Sequence, residues 1–281
     1  MKKLNKPSDD YLAIIENCIS NYKSAELRAK FIEAADFIIE EGKNFDFKIQ
    51  AKELHTIQPD ELVNDTITRK EMLKLYDDKF AKAGQPGRIH YDKLRSMVPN
   101  GRCPLCGIKQ ISTLDHYLPK AKFPVFAILP LNLIPACRDC NTDKLSQIAT
   151  CYAEETIHPY YDDIDSDQWL NTTISATSPV RFSFYIEPPA MWGSEMEQRV
   201  EKHMEVFSIN KLYASHAAEE LSNIYHQLNK IFHALGADGV REHLKDGFET
   251  RYFASKNSWQ TAMYKAMYQS EWFHTYGFRI F

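Results

Sequence analysis

Four cysteines fall in two C-x-x-C pairs, Cys103-Pro-Leu-Cys106 and Cys137-Arg-Asp-Cys140. In a reducing compartment such pairs read as one four-thiolate zinc site rather than a disulfide frame. A tetrahedral Zn²⁺ takes two thiolates from each short turn, and Gly107 lets the first turn close. The 30 residues between the pairs exceed the zinc-ribbon gap of roughly 15 to 20, so they are expected to carry an inserted functional element. Cys18 and Cys151 stand alone and are expected in the core.

That insert holds Asp115-His116-Tyr117-Leu118-Pro119-Lys120, then Asn132, and runs into Cys137-Arg138-Asp139-Cys140-Asn141-Thr142-Asp143-Lys144. A carboxylate suits a hard divalent cation, and an imidazole can take a proton from water near neutral pH. Neighbours on a strand point to opposite faces, so Asp115 and His116 share a target only if the backbone bends. Asn141 and Lys144, three apart, are expected on one helix face looking back at them. The Asn132 amide can tie down the loop or orient the imidazole. Carboxylate, imidazole, amide and one cation together suit phosphodiester hydrolysis, with the imidazole activating water and the cation stabilising developing charge.

The elements that must position these groups are legible as a pattern. Apolar residues at helical spacing over residues 9–43 predict two amphipathic helices broken near Asn21–Ser24. Thr68 with Glu71 reads as a capping box, opening a helix that runs through Tyr76 and Phe80 to a turn at Gly84–Gly87. A short helix follows over residues 88–98. Val180–Ile186 alternates as a strand does and is expected to pair with Thr172–Ser175. From Met196 onward the pattern is helical, with breaks near Gly236–Gly239 and Ser255–Ser258. The fold class is therefore mainly α, with a small central zinc-stapled unit and a further short β-hairpin. The expected regions are 1–99, 100–165 and 166–281.

Composition narrows the classes. The chain has 281 residues, 34 Lys and Arg against 38 Asp and Glu, 44% hydrophobic and 26% charged. These are the proportions of a globular protein, not of a disordered or collagenous chain. The opening residues do not resemble a signal peptide, and the longest apolar stretch, 123–137, is interrupted by three prolines and an Asn. A cytoplasmic protein without a membrane anchor is the expectation. Within a net charge of −4, residues 88–122 carry seven basic side chains against two acidic ones. Such a local excess suits a phosphate backbone, with Arg102, Lys109, Lys120 and Lys122 as candidate DNA contacts; a solvated charged surface is the plainer alternative.

Taken together, Cys-Pro-Leu-Cys-Gly, Asp-His-Tyr-Leu-Pro-Lys and Asn-Leu-Ile-Pro-Ala-Cys-Arg-Asp-Cys-Asn-Thr-Asp-Lys resemble the HNH endonuclease family, whose fold is the ββα-metal motif. The resemblance covers residues 100–146. It implies His116 as general base, Asp115 as metal ligand, Asn132 as the middle Asn, and Asn141 in the last ligand position, where many members carry His. It also implies structural Zn²⁺ on Cys103, Cys106, Cys137 and Cys140, and a catalytic Mg²⁺ or Mn²⁺ on Asp115 and Asn141. Lys144 is a candidate phosphate contact or a solvated lysine, and His158 either completes the site or packs beside it. The architecture is similar to the HNH component of Septu-type defence systems (PtuB-like). That similarity implies DNA as substrate, a role in anti-phage defence and gating by a PtuA-like ATPase partner. A non-catalytic zinc module and an RNA-directed nuclease are the competing readings. The C-terminal aromatics Trp259, Tyr264, Tyr268, Trp272, Phe273, Tyr276 and Phe278 are either core or a protein interface.

Overall fold

The computed structural model describes residues 2–144 and 148–279, and divides into two compact units, 1–163 and 164–281. The described chain is mainly helical, with two small antiparallel hairpins. No helix among the described residues is long and apolar enough to cross a membrane.

The first unit opens with α1 (Tyr11–Ile19) and α2 (Ala25–Gln50), each started by a side-chain cap: Asp10 accepts from the Leu12 amide and Ser24 from the Leu27 amide. The break between them is at the expected place. Helix α3 (Arg69–Leu75) opens on the capping box of Thr68 and Glu71. It then widens into a π-helical turn, Tyr76–Phe80, closed by the Ala81 amide on the Tyr76 carbonyl at 2.8 Å. Gly87 leads into α4 (Arg88–Ser96). A Cβ at Gly87 would sit 2.5 Å from Cys18 Sγ, so this close approach needs glycine.

Two strands follow, β1 (Thr113–His116) and β2 (Leu133–Ala136), paired antiparallel with Asp115 opposite Ile134 and His116 opposite Leu133. Helix α5 (Arg138–Lys144) comes directly after β2. These elements do not stand apart from the N-terminal helices. Leu114, Ala127, Ile128 and Leu133 share one buried cluster with Ile14, Phe31, Ile38, Leu75, Phe80 and Leu94. The expected boundary near residue 99 is therefore absent: a four-residue hairpin buries too little apolar surface alone, and the helices supply the rest.

The second unit is built on β3 (Leu170–Ser175) and β4 (Arg181–Ile186), antiparallel from Leu170 opposite Ile186 to Ser175 opposite Arg181. Phe182 and Phe184 are buried while Arg181, Ser183 and Tyr185 are exposed, which is the alternation read from the sequence. The hairpin is followed by α6 (Ser194–Val206), the long α7 (Ile209–Ala254), α8 (Trp259–Gln269) and α9 (Glu271–Thr275). Helix α7 is interrupted at Gly236, whose φ of 71° suits glycine. The buried Asn257 amide accepts from the amides of Trp169 and Leu170 and donates to the Asp167 carbonyl, tying the start of the hairpin to the turn before α8. Tyr264, Phe273 and Phe278 are core, and Tyr276 is the one of the seven C-terminal aromatics that is exposed.

Candidate metal centre and the Asp115–His116 strand

The four pair cysteines converge. Their Sγ atoms all lie within 4.8 Å of one another, and all four residues are buried. Tetrahedral zinc with Zn–S near 2.3 Å sets sulfurs roughly 3.8 Å apart, so the donor set fits a structural metal such as zinc. Local chain geometry explains the convergence. The Gly107 amide donates to the Cys103 carbonyl at 2.7 Å with Gly107 at φ 72°, and the Cys103 amide donates to the Lys109 carbonyl at 2.8 Å. Cys137 precedes α5, and the Cys140 amide reaches its sulfur at 3.5 Å. The Cys103 thiol beside it helps hold the Cys137 thiol down to about 7. Of the two remaining cysteines, Cys18 is core as expected, whereas Cys151 is exposed.

Strand β1 carries the next two groups in different directions. The His116 Nε2–H donates to the Ala127 carbonyl at 2.9 Å. This places a proton on Nε2, so the neutral ring carries its lone pair on Nδ1, and Nδ1 has no hydrogen-bond partner among the described residues. The ring packs edge-on to Tyr76, centroids 4.5 Å apart. Burial pulls the imidazole down to about 3; the Ala127 carbonyl opposes this, and the Lys120 and Lys144 ammonium groups push the same way as burial. Asn132 holds the loop that presents Ala127. It is fully buried, accepts from the Leu118 amide at 2.7 Å, and donates to the carbonyls of Leu118 at 3.0 Å and Phe126 at 3.1 Å. This is the loop-tying role expected of it. Tyr76 and the Ala127 carbonyl were not readable as part of the site, because neither carries a motif.

Asp115 is buried against α5. Its Oδ2 accepts from Lys144 Nζ at 2.9 Å, and the same ammonium donates to the carbonyls of His116 at 2.6 Å and Tyr117 at 2.7 Å. Burial raises the carboxyl and lowers the ammonium, each opposed by its partner. Lys144 is thus neither a solvated lysine nor placed at a surface where phosphate could reach it. The half-buried Asn141 side chain makes no hydrogen bond to the described residues. As arranged, Asp115 and Asn141 do not fit a second divalent ion, because an ammonium already holds the carboxylate. Among the described residues the cysteine set is the one cluster of three or more Cys, His, Asp or Glu donors.

His158 does not complete the site. It is fully buried, its Nε2 donates to the Leu131 carbonyl at 3.1 Å, and its Nδ1 accepts from the Tyr160 amide at 3.2 Å. Both ring nitrogens serve the backbone, which leaves no lone pair for a metal. Asp162 caps that turn, accepting from the His158 amide.

Four of the seven basic side chains of residues 88–122 pair with acids, and Arg95, Arg102 and Lys122 do not among the described residues. Arg88 pairs with Asp92, Lys93 with Asp9, Lys109 with Asp139, and Lys120 with Asp77. Arg102 donates to the Ile108 carbonyl, and Lys122 is exposed. Asp9, Asp77 and Asp139 lie outside residues 88–122, so folding cancels most of an excess that looked open in one dimension.

With this geometry in hand, kinship can be read. Protein Ea31 of Escherichia phage lambda is 30% identical over 294 aligned positions, spanning 96% of this chain and 98% of that protein. The chain belongs to the Ea31 family. The alignment takes in nearly the whole of both proteins, so the family extends over both compact units and not only over the cysteine-rich segment. No family model and no solved structure matches the chain.

Proposed function

We propose that the unit built from β1, β2 and α5 is a hydrolase of the HNH type that cuts DNA phosphodiester bonds, with His116 as its general base. One observation carries this reading: His116 donates Nε2–H to the Ala127 carbonyl, so the lone pair of the neutral ring lies on Nδ1, which has no hydrogen-bond partner among the described residues. Burial keeps the imidazole unprotonated at neutral pH, with its Nδ1 lone pair open to water; it also weakens the ring as a base, so the approach of an anionic phosphate has to raise its basicity before it takes the proton. Asn132 is the positioning residue, since its three hydrogen bonds set the loop that carries Ala127. The cysteine set ties the Cys103–Cys106 turn to the end of β2 and to α5, and zinc there is structural. The Mg²⁺ or Mn²⁺ expected on Asp115 and Asn141 must contend with Lys144, and no step is assigned to it.

DNA as substrate, a place in anti-phage defence and an ATPase partner rest on the resemblance of residues 100–146 and on architecture. The matched charges of residues 88–122 lend DNA no extra support. A non-catalytic zinc module is the second reading, and the Asp115–Lys144 pair favours it, because a carboxylate closed off by a lysine is a structural device.

Plasmid cleavage by zinc-loaded protein and by His116→Ala, with Mg²⁺, Mn²⁺ or EDTA, decides between them. The nuclease reading expects nicking or linearisation that falls at least about 100-fold in the variant, with zinc content and melting unchanged. Equal cutting by both proteins rejects His116 as the base, and an RNA substrate cut in place of DNA redirects the reading.

A further inference from the structure

From the surroundings of Asp115 we infer that Lys144 is a built-in cation of this carboxylate, and that the ammonium and a divalent ion exclude one another there. The inference deepens the nuclease reading and rests on it for the identity of the site.

Three facts lead to it. All three donors of the Lys144 ammonium are used: Asp115 Oδ2 at 2.9 Å, the His116 carbonyl at 2.6 Å and the Tyr117 carbonyl at 2.7 Å. Both side chains are nearly closed to water, at 7% and 8% exposed. The carbonyls belong to the end of β1 and the residue after it, where the chain turns from the strand into the loop tied down by Asn132.

An exposed Lys–Asp contact is weak and exchanges freely with solvent ions. This pair is different, because in a poorly solvated site each charge depends on the other. A divalent ion on Asp115 with Lys144 left at 2.9 Å would set three positive charges against one carboxylate. Two cations on one carboxylate would lie only a few ångströms apart, and repulsion at such separations in a buried site is far stronger than in water. One cation must leave for the other to enter. The positive charge that the HNH resemblance assigns to a metal is, in the metal-free protein, supplied by the chain itself. Lys144 is a positioning residue for the strand end, and it sets the threshold at which a divalent ion binds.

Mn²⁺ binding without DNA tests this on the full-length, zinc-loaded protein, read from the electron paramagnetic resonance signal of free Mn²⁺. Lys144→Gln keeps hydrogen-bonding capacity and removes the charge. It is expected to bind one Mn²⁺ at least roughly tenfold more tightly than the wild type, and Asp115→Asn/Lys144→Gln should lose that site. Equal affinity in wild type and Lys144→Gln overturns the inference, as does tighter binding that survives removal of Asp115.

Should Lys144→Gln fail to fold, the wild type provides the test through its ¹⁵N-labelled lysine ammonium groups. The Lys144 resonance, assigned by its absence from Lys144→Arg, is expected to shift or vanish as Mg²⁺ fills the Asp115 site. A resonance unmoved when that site is full overturns the inference. The two readings fail separately. A protein that cuts DNA through His116 but shows equal Mn²⁺ affinities loses only the Lys144 inference. One that shows the affinity change but cuts nothing loses only the nuclease.

Discussion

The two polar sites on the β1–β2–α5 unit are opposites in how their charge is completed. The cysteine set brings four sulfurs within 4.8 Å and needs an added cation before all four can be thiolates. Asp115 already has its cation in Lys144. The first site is therefore expected to tie folding to a metal, and the second to hold its shape without one. The lesson is that a metal-site motif and a metal-ready geometry are separable. Cysteines at that spacing have no other charge-balancing partner of comparable fit, whereas a carboxylate takes whichever cation the fold brings to it.

The largest effect should come from breaking the metal-dependent side. Chelation of zinc, or Cys137→Ser, is expected to abolish the stoichiometric zinc and unfold the unit around β1 and β2, since structural zinc contributes on the order of 10 kcal/mol in small domains. Zinc analysis with circular dichroism melting checks this. Retained stability in a zinc-free protein would erase the contrast between the two sites.

Next is the self-contained side. Lys144→Met strands a buried carboxylate and is expected to cost about 3–5 kcal/mol, with Asp115→Leu/Lys144→Met recovering much of it, because the double variant leaves no unpaired charge. Urea unfolding of the two single variants and the double makes the comparison. A double variant no better than Lys144→Met would show that the carbonyl contacts, not the ion pair, carry the stability.

Asn132→Ala should cost about 3 kcal/mol by leaving the Leu118 amide and the Leu118 and Phe126 carbonyls unpaired in the interior. If Asn132 positions His116 through Ala127, its ring NMR signals should move as well; an unperturbed His116 would limit Asn132 to a stabilising role.

The smallest effect at neutral pH is a pH dependence, which develops only as acid is added. His116 has a folded pKa near 3, against its ordinary value of 6.5. Between these values the unfolded chain binds a proton that the folded one refuses, so stability is complete above about pH 6.5 and falls as the pH drops toward 3. His116→Gln should flatten this part of the pH–stability curve in urea titrations. An unchanged slope would mean that His116 titrates alike in the folded and unfolded chain, which would remove burial as the reason its imidazole is neutral.

Much of the molecule was legible in one dimension because the relevant physics is local. The capping box at Thr68, the glycine turn after Cys106, the alternation of β4 and the C-x-x-C spacing each involve residues a few positions apart. The misreadings concern partners distant in sequence. Lys144 reaches back 29 residues to Asp115, and Lys93 reaches 84 to Asp9. Lys109 and Lys120 likewise find Asp139 and Asp77, so the basic segment is paired in part, while Arg95, Arg102 and Lys122 have no acidic partner among the described residues. His158 was ambiguous for the same reason, its ring nitrogen being spent on a carbonyl 27 residues away.

By itself, then, the sequence determined the helix-rich class, the two hairpins and the four-sulfur cluster, because periodicity, capping and chelate spacing act over a few residues and leave few alternatives. Only the tertiary structure decided that Asp115 pairs with a lysine, that His116 is a neutral imidazole with one nitrogen anchored, and that residues 1–163 are one unit. Those outcomes depend on which distant groups are buried together, and burial sets the strength of a charge and the use of a lone pair.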